Sequence, residues 1–475
     1  MFTPPKAKSL DIAYPMSNVQ FFPLPSSFGI IRAMDKEAKK YIDGYKEFLA
    51  KAKTERRAYA AAVELLEKAG FRNLKNAGRL KAGDKVYRGY HGKTLFAAVV
   101  GRNGTSAGLR VVGGHTDAPR LDLKPKPLYE KGGIVYFDTH IYGGIKKFQW
   151  LVLPLALYGT VVKKDGTKVE IAIGDAPDDP VFMISDILPH FGKDQQEKKV
   201  KDAVAAEDMD VIAGLGKVED ILEKRYGVEK DDLLSAELEI VPAGGPRDVG
   251  LDRALVAAYG HDDRVCAYAG LSALLDVARA KGAPARTCAV VLCDKEEIGS
   301  VGASGMDSSF FENTVAELID RDGGNARDID VRRALEASQM LSADVCAASD
   351  PHFPDSDSTG NEAHLGKGPC AIKYTGPATK SGASDARAEF IAAVRRVLDD
   401  AKVPWQMGEL GRAEKGGGGT IAKFMARFGM DVIDFGTPLL NMHAPWELAS
   451  AEDCYNTKRA YRAFFEASAD ALTID

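Results

Sequence analysis

Short runs of small and branched apolar residues recur along the chain, and several stop abruptly at polar side chains. One run covers residues 289–293 and is followed by Asp294, and another covers 109–114 and ends at His115. Such runs predict fully buried strands. Because the carboxyl ends of strands line the ligand crevice of an open α/β sheet, we expect the chemistry of this protein to lie where these runs end.

Helical periodicity separates the predicted strands. Apolar residues spaced by three, four or seven predict a helix over 36–69, and similar patterns predict helices over 265–280, 331–341 and 454–472. A further strand-like apolar run covers 432–440. Alternating strands and helices are typical of the α/β fold class.

The pattern changes between the first strands and about residue 250. Stretches such as 134–137 and 168–173 are short, rich in β-formers and separated by Gly, Pro and Asp turns. We therefore predict an inserted β-rich domain at 119–250, with a catalytic domain formed by 1–118 and 251–475.

Composition narrows the classes of function. The chain has 475 residues, 45% hydrophobic and 28% charged, with a formal net charge of -5. This balance is typical of globular proteins and offers no basic field for nucleic acid or an anionic membrane. The first residues lack the pattern of a signal peptide, and no apolar window is long enough to span a membrane. We expect a cytoplasmic protein whose partners are peptides, small molecules or copies of itself.

Five ligand-type side chains stand beside apolar elements, two imidazoles and three carboxylates: His115, Asp262, Glu297, Asp344 and His443. Each alone is weak evidence, and the acidic run that contains Glu297 also fits a solvated loop. Together they would suit two divalent metals of the zinc class, which a carboxylate can bridge. The cysteines show no CxxC pairing, and Cys266, Cys288 and Cys293 lie in apolar runs, so we interpret them as buried thiols.

Two further residues have the character of catalytic partners. Glu296 precedes Glu297, and an adjacent pair of carboxylates can supply a general base together with a ligand. Asp117 follows His115 by two residues, where it could accept a ring N–H and set the tautomer that binds metal.

Six motifs, in order along nearly the whole chain, resemble those of the aspartyl aminopeptidase family of zinc peptidases, M18. They are GHTDAP at 114–119, GHDDR at 260–264, DKEEIGS at 294–300, SAD at 342–344, GGTI at 418–421 and MH at 442–443. The resemblance implies an α/β catalytic domain with helices on both faces of a central sheet, interrupted by a β-rich dimerisation domain. It also implies removal of N-terminal residues from peptides.

The resemblance implies a role for each site residue. His115 and Asp344 would bind one zinc, Glu297 and His443 a second, and Asp262 would bridge them, with Co²⁺ or Mn²⁺ as alternative metals. Glu296 would be the general base and Asp117 the partner of His115. Asp263 stands where many family members have Asn, so we assign the bridge to the first Asp of the pair.

The family also implies an assembly. Members place a histidine of the dimerisation domain in the neighbouring subunit's active site, and the matching residue here is His190, which would stabilise the oxyanion. Dimers of the family commonly build a dodecamer, so a large homo-oligomer is expected.

One departure from the family pattern leaves the substrate open. Lys373 matches a lysine that reads an acidic side chain, but the Gln-Arg-Tyr stretch expected shortly after it is replaced by residues 376–380. A neutral or broad preference is therefore an alternative to an acidic one.

A deacylase or carboxypeptidase would use the same two-metal chemistry, and an assembly protein with structural zinc is a third interpretation. Glu296 argues against the last, because a structural site needs no base.

Overall fold

The structure is a computed structural model that describes residues 35–354, 360–376, 382, 384–409, 411 and 418–472. The first residues, on which the prediction about a signal peptide depends, lie outside this part of the chain. Within it, no helix is both long and apolar enough to cross a membrane.

The helices of the described chain begin and end as follows: α1 (Lys36–Lys51), α2 (Glu55–Lys68), α3 (Lys193–Gln196), α4 (Val218–Tyr226), α5 (His261–Arg279), α6 (Phe310–Arg321), α7 (Asp328–Glu336), α8 (Ala388–Asp400), α9 (Ala422–Ala426) and α10 (Ala451–Glu466). The single helix predicted over 36–69 is therefore two helices. The break falls where the Thr54 hydroxyl accepts a hydrogen bond from the Arg57 N–H and begins α2. The helix predicted over 331–341 ends at Glu336, and a strand follows it.

The strands of the described chain are β1 (Arg72–Asn73), β2 (Lys85–Tyr90), β3 (Thr94–Val99), β4 (Leu109–His115), β5 (Arg120–Lys131), β6 (Ile134–Tyr142), β7 (Leu155–Val162), β8 (Lys168–Ile173), β9 (Val211–Gly214), β10 (Ala236–Pro242), β11 (Arg247–Val249), β12 (Leu255–Ala258), β13 (Thr287–Cys293), β14 (Gln339–Ser342), β15 (Cys346–Ala347), β16 (Cys370–Ile372), β17 (Gln406–Gly408), β18 (Asp431–Gly436), β19 (Pro438–Leu440) and β20 (Glu447–Ser450). They form three sheets.

The large sheet has the strand order β1-β2-β3-β13-β4-β14-β18-β16-β17 in the described residues. Its central strands β13, β4, β14 and β18 are mutually parallel. Cys293 pairs with His115, and Ser342 pairs with Gly113, so neighbouring strands end at nearly the same level. The predicted sheet mouth therefore exists, and several strands open onto it.

Helices cover both faces of the large sheet, as predicted. Along β13, Val290 and Leu292 belong to a core with α1, α2, α5, α8 and α10, whereas Ala289 and Val291 belong to a core with α6, α7 and α9. This alternation follows from the two-residue period of a strand. A strand buried on both faces reads as a continuous apolar run, which is why β13 was visible in the sequence.

The second sheet comprises β5–β10 in the order β8-β7-β10-β5-β6-β9 and has its own apolar core around Trp150 and Phe137. A small sheet, ordered β11-β12-β20-β19-β15, was not predicted. The run predicted as one strand over 432–440 divides between β18 of the large sheet and β19 of the small sheet. The break falls at Gly436, Thr437 and Pro438, residue types that commonly interrupt a strand and that the prediction of one strand passed over.

Candidate metal centre

Three of the predicted ligands extend from the mouth of the large sheet. His115 is the last residue of β4, and Glu297 lies in a short turn of 3-10 helix, Glu296–Ile298, just after β13. Asp344 follows β14 by two residues. Because these three strands are adjacent and parallel, their C-terminal ends bring the three side chains to one place.

The other two predicted ligands come from the small sheet. Asp262 lies in the first turn of α5, shortly after β12, and His443 lies in the connection between β19 and β20. Pairing of β12 with β20 sets Ala258 opposite Glu447 and holds these two connections side by side. The small sheet therefore supplies one carboxylate and one imidazole to the group formed by the large sheet.

Asp262 lies between the two imidazoles. Its Oδ1 is 3.2 Å from His115 Nε2, and its Oδ2 is 3.2 Å from His443 Nε2. Asp344 Oδ1 lies 3.9 Å from His115 Nε2, and Glu297 Oε2 lies 3.4 Å from His443 Nε2. Candidate ligand atoms of His115, Asp262 and Asp344 lie within 4.8 Å of one another, and so do those of Asp262, Glu297 and His443. Asp262 belongs to both groups.

The hydrogen bonds of the two histidines indicate a cation. His115 Nδ1 lies 3.1 Å from the Asp117 carbonyl, and His443 Nδ1 lies 3.0 Å from the Gly144 carbonyl. Each Nδ1 faces an acceptor and therefore carries the hydrogen. In a neutral ring Nε2 then presents a lone pair, and in both rings that lone pair points at carboxylate oxygens. A cation between these facing acceptors, either a proton on Nε2 or a metal ion, would satisfy them, and the set of imidazoles and carboxylates fits two divalent metals.

Burial strengthens this conclusion. Glu297 Oε1 is buried without a hydrogen-bond partner in the described residues. Burial lowers the pKa of His443, but Asp262 and Glu297 outweigh it and raise that pKa to about 10. Burial and Asp262 raise the pKa of Glu297 well above its usual range. The surplus of negative charge is what a bound metal would neutralise.

Glu296 lies at the edge of this group, with Oε2 3.9 Å from His115 Nε2. Burial, together with Asp262 and Asp117, raises the pKa of Glu296 to about 7 against the opposing effect of His115. Proton transfer is most effective when the pKa of the base lies near the working pH. Glu296 therefore has the environment of a general base.

Asp117 is fully buried and anchors the acidic turn. Its Oδ1 accepts the Glu296 N–H and its Oδ2 accepts the Glu297 N–H, both at 3.2 Å. Its Oδ1 also lies 3.4 Å from His115 Nδ1. Burial raises the pKa of this carboxyl, but His115 and the Tyr142 hydroxyl outweigh burial and lower it. Asp117 is therefore held ionised as an acceptor.

Asp263 has a different role from Asp262. Its Oδ2 accepts the His115 N–H at 3.2 Å, and a Cβ on Gly114 would lie 2.4 Å from that oxygen. Burial raises the pKa of Asp263 well above its usual range. Within the described chain, Asp263 belongs to neither group of candidate ligand atoms, which is consistent with assigning the bridge to Asp262.

Two predicted residues lie outside this group. His190 is exposed on a loop after β8, and Lys373 is exposed after β16. Among the described residues, neither forms a hydrogen bond or an ion pair with the members of the group. Residues 377–380, part of the stretch that departs from the family, lie outside the described chain.

Glu447 was not predicted from the sequence. It is 1% exposed, and its two oxygens accept the N–H of Asp262 at 3.1 Å and the N–H of His443 at 2.8 Å. One carboxylate therefore joins the two connections that the small sheet contributes. The available signal was an acidic residue four positions after His443.

Comparison with known proteins agrees with this geometry. The family model for aminopeptidase I zinc metalloproteases (M18) matches residues 48–465. A probable M18 family aminopeptidase 1 of Clostridium acetobutylicum is 46% identical over 450 residues, which is 90% of this chain and 96% of that protein. A crystal structure of an M18 family aminopeptidase from Thermotoga maritima has a TM-score of 0.88 and 41% identity, covering 92% of this chain and 98% of that one.

A more distant structure shares the fold alone. The S. cerevisiae mApe1 structure, described as a dodecamer, has a TM-score of 0.73 at 22% identity and covers 92% of this chain and 98% of that one. The family match over most of the chain, the two bacterial relatives and the paired metal-binding groups lead to one conclusion: this chain belongs to the M18 family of zinc metalloproteases of the aminopeptidase I type.

Proposed function

We propose that this zinc-dependent aminopeptidase removes N-terminal residues from peptides at a site for two zinc ions per subunit. His115 and Asp344 hold one ion, Glu297 and His443 hold the other, and Asp262 bridges them. The observation that carries this proposal is the orientation of the two imidazoles, whose Nε2 atoms both lie 3.2 Å from Asp262 oxygens. Bound zinc would polarise the peptide carbonyl and acidify the attacking water.

Glu296 acts as the general base. Its carboxylate takes a proton from the attacking water and then gives that proton to the leaving amine. Asp117 positions Glu296 by accepting its backbone N–H with the side-chain carboxylate. It sets the tautomer of His115 through its backbone carbonyl, 3.1 Å from Nδ1, with the carboxylate beside it at 3.4 Å. The position of Glu296 supports this role, because its Oε2 lies 3.9 Å from His115 Nε2, at the edge of the proposed ligands.

The assembly is part of the proposal. Residues 119–250 form a dimerisation domain between the two parts of the catalytic domain, 1–118 and 251–475. His190 enters the neighbouring subunit's site and stabilises the oxyanion, and dimers build a dodecamer in the cytoplasm. Exposed apolar side chains beside His190 support an interface there, with Ile187 46%, Leu188 48% and Phe191 73% exposed.

The side-chain preference is acidic or, alternatively, neutral and broad. Lys373 would read an acidic side chain. A panel of aminoacyl-anilides, each with a free and with an acetylated amine, is assayed with the zinc-loaded enzyme. The rate for Asp and Glu relative to Leu and Met distinguishes an acidic from a neutral or broad preference. Cleavage of the free-amine set alone is expected, and cleavage of acetylated substrates would instead indicate a deacylase.

The adjacent glutamates provide a matched pair of variants. Glu296→Gln should lower kcat by roughly a hundredfold to ten-thousandfold while zinc content stays at the wild-type value. Glu297→Gln should lose zinc as well as activity. Loss of zinc from the Glu296→Gln protein would show that the base is assigned wrongly.

A further inference from the structure

We propose that the segment of residues 142–144, at the end of β6 in the second sheet, positions both halves of the metal centre from within the same chain. This inference deepens the proposed function and depends on it. The second sheet would then contribute to catalysis in each subunit, independently of any residue that a neighbouring subunit supplies. Tyr142 acts through Asp117 on the base and on one ligand of each ion, and Gly143 and Gly144 contact the two ligands of the second ion, Glu297 and His443.

The Tyr142 hydroxyl completes the environment of Asp117. It donates a hydrogen bond of 2.8 Å to Asp117 Oδ2, and the tyrosine is 7% exposed. The same carboxylate accepts the N–H groups of Glu296 and Glu297 and lies beside His115 Nδ1. Tyr142 therefore acts through Asp117 on the base and on one ligand of each ion, as a positioning residue.

The ring of Tyr142 is itself held by a buried cation. The Arg120 guanidinium lies 3.8 Å from the ring centroid, and Arg120 is 5% exposed. Its Nε lies 2.7 Å from Asp122 and 3.3 Å from Glu239, so the guanidinium is fixed by partners on β5 and β10. A cation over the ring face and a carboxylate at the hydroxyl leave the side chain one orientation.

The rest of the segment, Gly143 and Gly144, contacts the two proposed ligands of the second ion, Glu297 and His443. The Gly144 carbonyl accepts the Nδ1–H of His443 at 3.0 Å. Gly143 has φ +73°, and a Cβ there would lie 3.4 Å from Glu297 Cβ and 3.3 Å from Pro119 Cβ. A backbone that approaches the centre this closely determines where the carbonyl of Gly144 points. The ring of His443 is oriented by that carbonyl.

Removal of the Tyr142 hydroxyl tests the part of the proposal that concerns Asp117. Tyr142→Phe should lower kcat about ten- to hundredfold with KM changed by less than about twofold, as expected for loss of a partner behind a metal ligand. Tyr158→Phe is the matched control, since Tyr158 is 4% exposed on β7 of the same sheet and donates to Asp175 at 2.5 Å. Its kcat should equal that of the wild type. Equal kcat values for both variants would overturn the inference.

Zinc affinity gives a readout apart from activity. Competition with a chromogenic chelator should show about tenfold weaker zinc binding in Tyr142→Phe. In an Asp117→Asn background the same tyrosine replacement should have almost no further effect, because the two residues act as one unit. An undiminished effect in that background would exclude action through Asp117.

A pair of glycine variants tests the part of the proposal that concerns Gly143 and Gly144. Gly132 lies at the other end of the hairpin, with φ +62° and no atom within 4 Å of the position that a Cβ would occupy. Gly143→Ala and Gly132→Ala therefore share the backbone strain, but only the first should weaken zinc binding and lower kcat. Equal zinc affinities in the two variants would overturn this part. Failure of the proposed function itself would appear in the wild type, as absent zinc-dependent peptide hydrolysis.

Discussion

The metal centre and a second group of charges are both largely buried but differ in their balance of charge. We call the second group the junction cluster; it consists of Glu55, Lys93, Arg120 and Glu239. Lys93 Nζ lies 2.9 Å from Glu55, and Arg120 lies 3.6 Å from Glu55 and 3.3 Å from Glu239. Each carboxylate of the junction cluster faces a cation.

The pKa directions follow the local balance of charge. In the junction cluster, burial raises the pKa of Glu55, but Arg120 and Lys93 outweigh burial and lower it, whereas burial raises the pKa of Glu239 well above its usual range against Arg120. In the metal centre, burial raises the pKa of Asp344 well above its usual range, and neighbouring carboxylates, including Glu296, raise it further against His115. The junction cluster holds as many cations as carboxylates, whereas the metal centre has a surplus of carboxylates that ions from outside the chain would neutralise.

The largest expected effect comes from Asp344→Asn. Loss of a partner behind a ligand costs about ten- to hundredfold, so loss of the ligand itself should lower kcat/KM by roughly a thousandfold or more. The metal-free variant should melt at or above the temperature of the metal-free wild type at pH 8, because an uncompensated buried charge has been removed. A lower melting temperature for the metal-free variant would contradict the comparison.

Zinc removal should destabilise the wild type. A ligand present at about a thousand times its dissociation constant contributes about 4 kcal/mol to the free energy of unfolding for each site. Thermal unfolding with and without a chelator measures this difference. The shift should be smaller in Asp344→Asn and unchanged in Glu55→Gln. An equal shift in Asp344→Asn would show that this residue contributes little to zinc binding.

Glu55→Gln should destabilise the fold without changing the zinc content, the opposite of what is expected for Asp344→Asn. It removes the buried carboxylate that Lys93 and Arg120 share, and breaking a buried ion pair typically costs about 3–5 kcal/mol, while zinc content per subunit stays the same. Glu64→Gln on the same helix is the control, because the ion pair of Glu64 with Lys68 is exposed and should not affect the melting temperature. Zinc loss from Glu55→Gln would mean that the two clusters are not independent.

The smallest expected effect concerns Asp434, a buried carboxylate on β18 that belongs to neither cluster. Burial raises its pKa from 3.8 to about 6, against hydrogen bonds from Ser342 and Thr420. The folded state therefore binds this proton more tightly than the unfolded state. Its contribution is most favourable below pH 4 and is lost as the pH rises through about 6, by about 3 kcal/mol in total.

Asp434→Asn should remove that dependence. The variant should gain melting temperature relative to the wild type at pH 8, where the wild-type carboxylate is charged, and much less at pH 4. Thermal unfolding at the two pH values measures the difference. Parallel pH profiles for the two proteins would show that Asp434 is not the group responsible.

The two sheets that supply the residues of the metal centre differed in how well the sequence predicted them. The strand that ends at His115 and the strand before Glu297 were visible because a run buried on both faces is continuously apolar and stops at polar residues. Asp262 and His443 were selected by chemistry and by the resemblance, but the sheet that holds them was not foreseen. Its strands are short, and only Gly436, Thr437 and Pro438 mark the step from β18 to β19.

Sequence by itself determined the α/β class, the ends of apolar runs where the chemistry lies and the family, because apolar period and motif order are local properties of the chain. Tertiary structure alone decided that Glu447 joins two connections and that Tyr142 meets Asp117. These contacts link residues such as Asp262 and Glu447 that are 185 positions apart. Their geometry arises from strand register and close packing between sheets, which no local pattern contains.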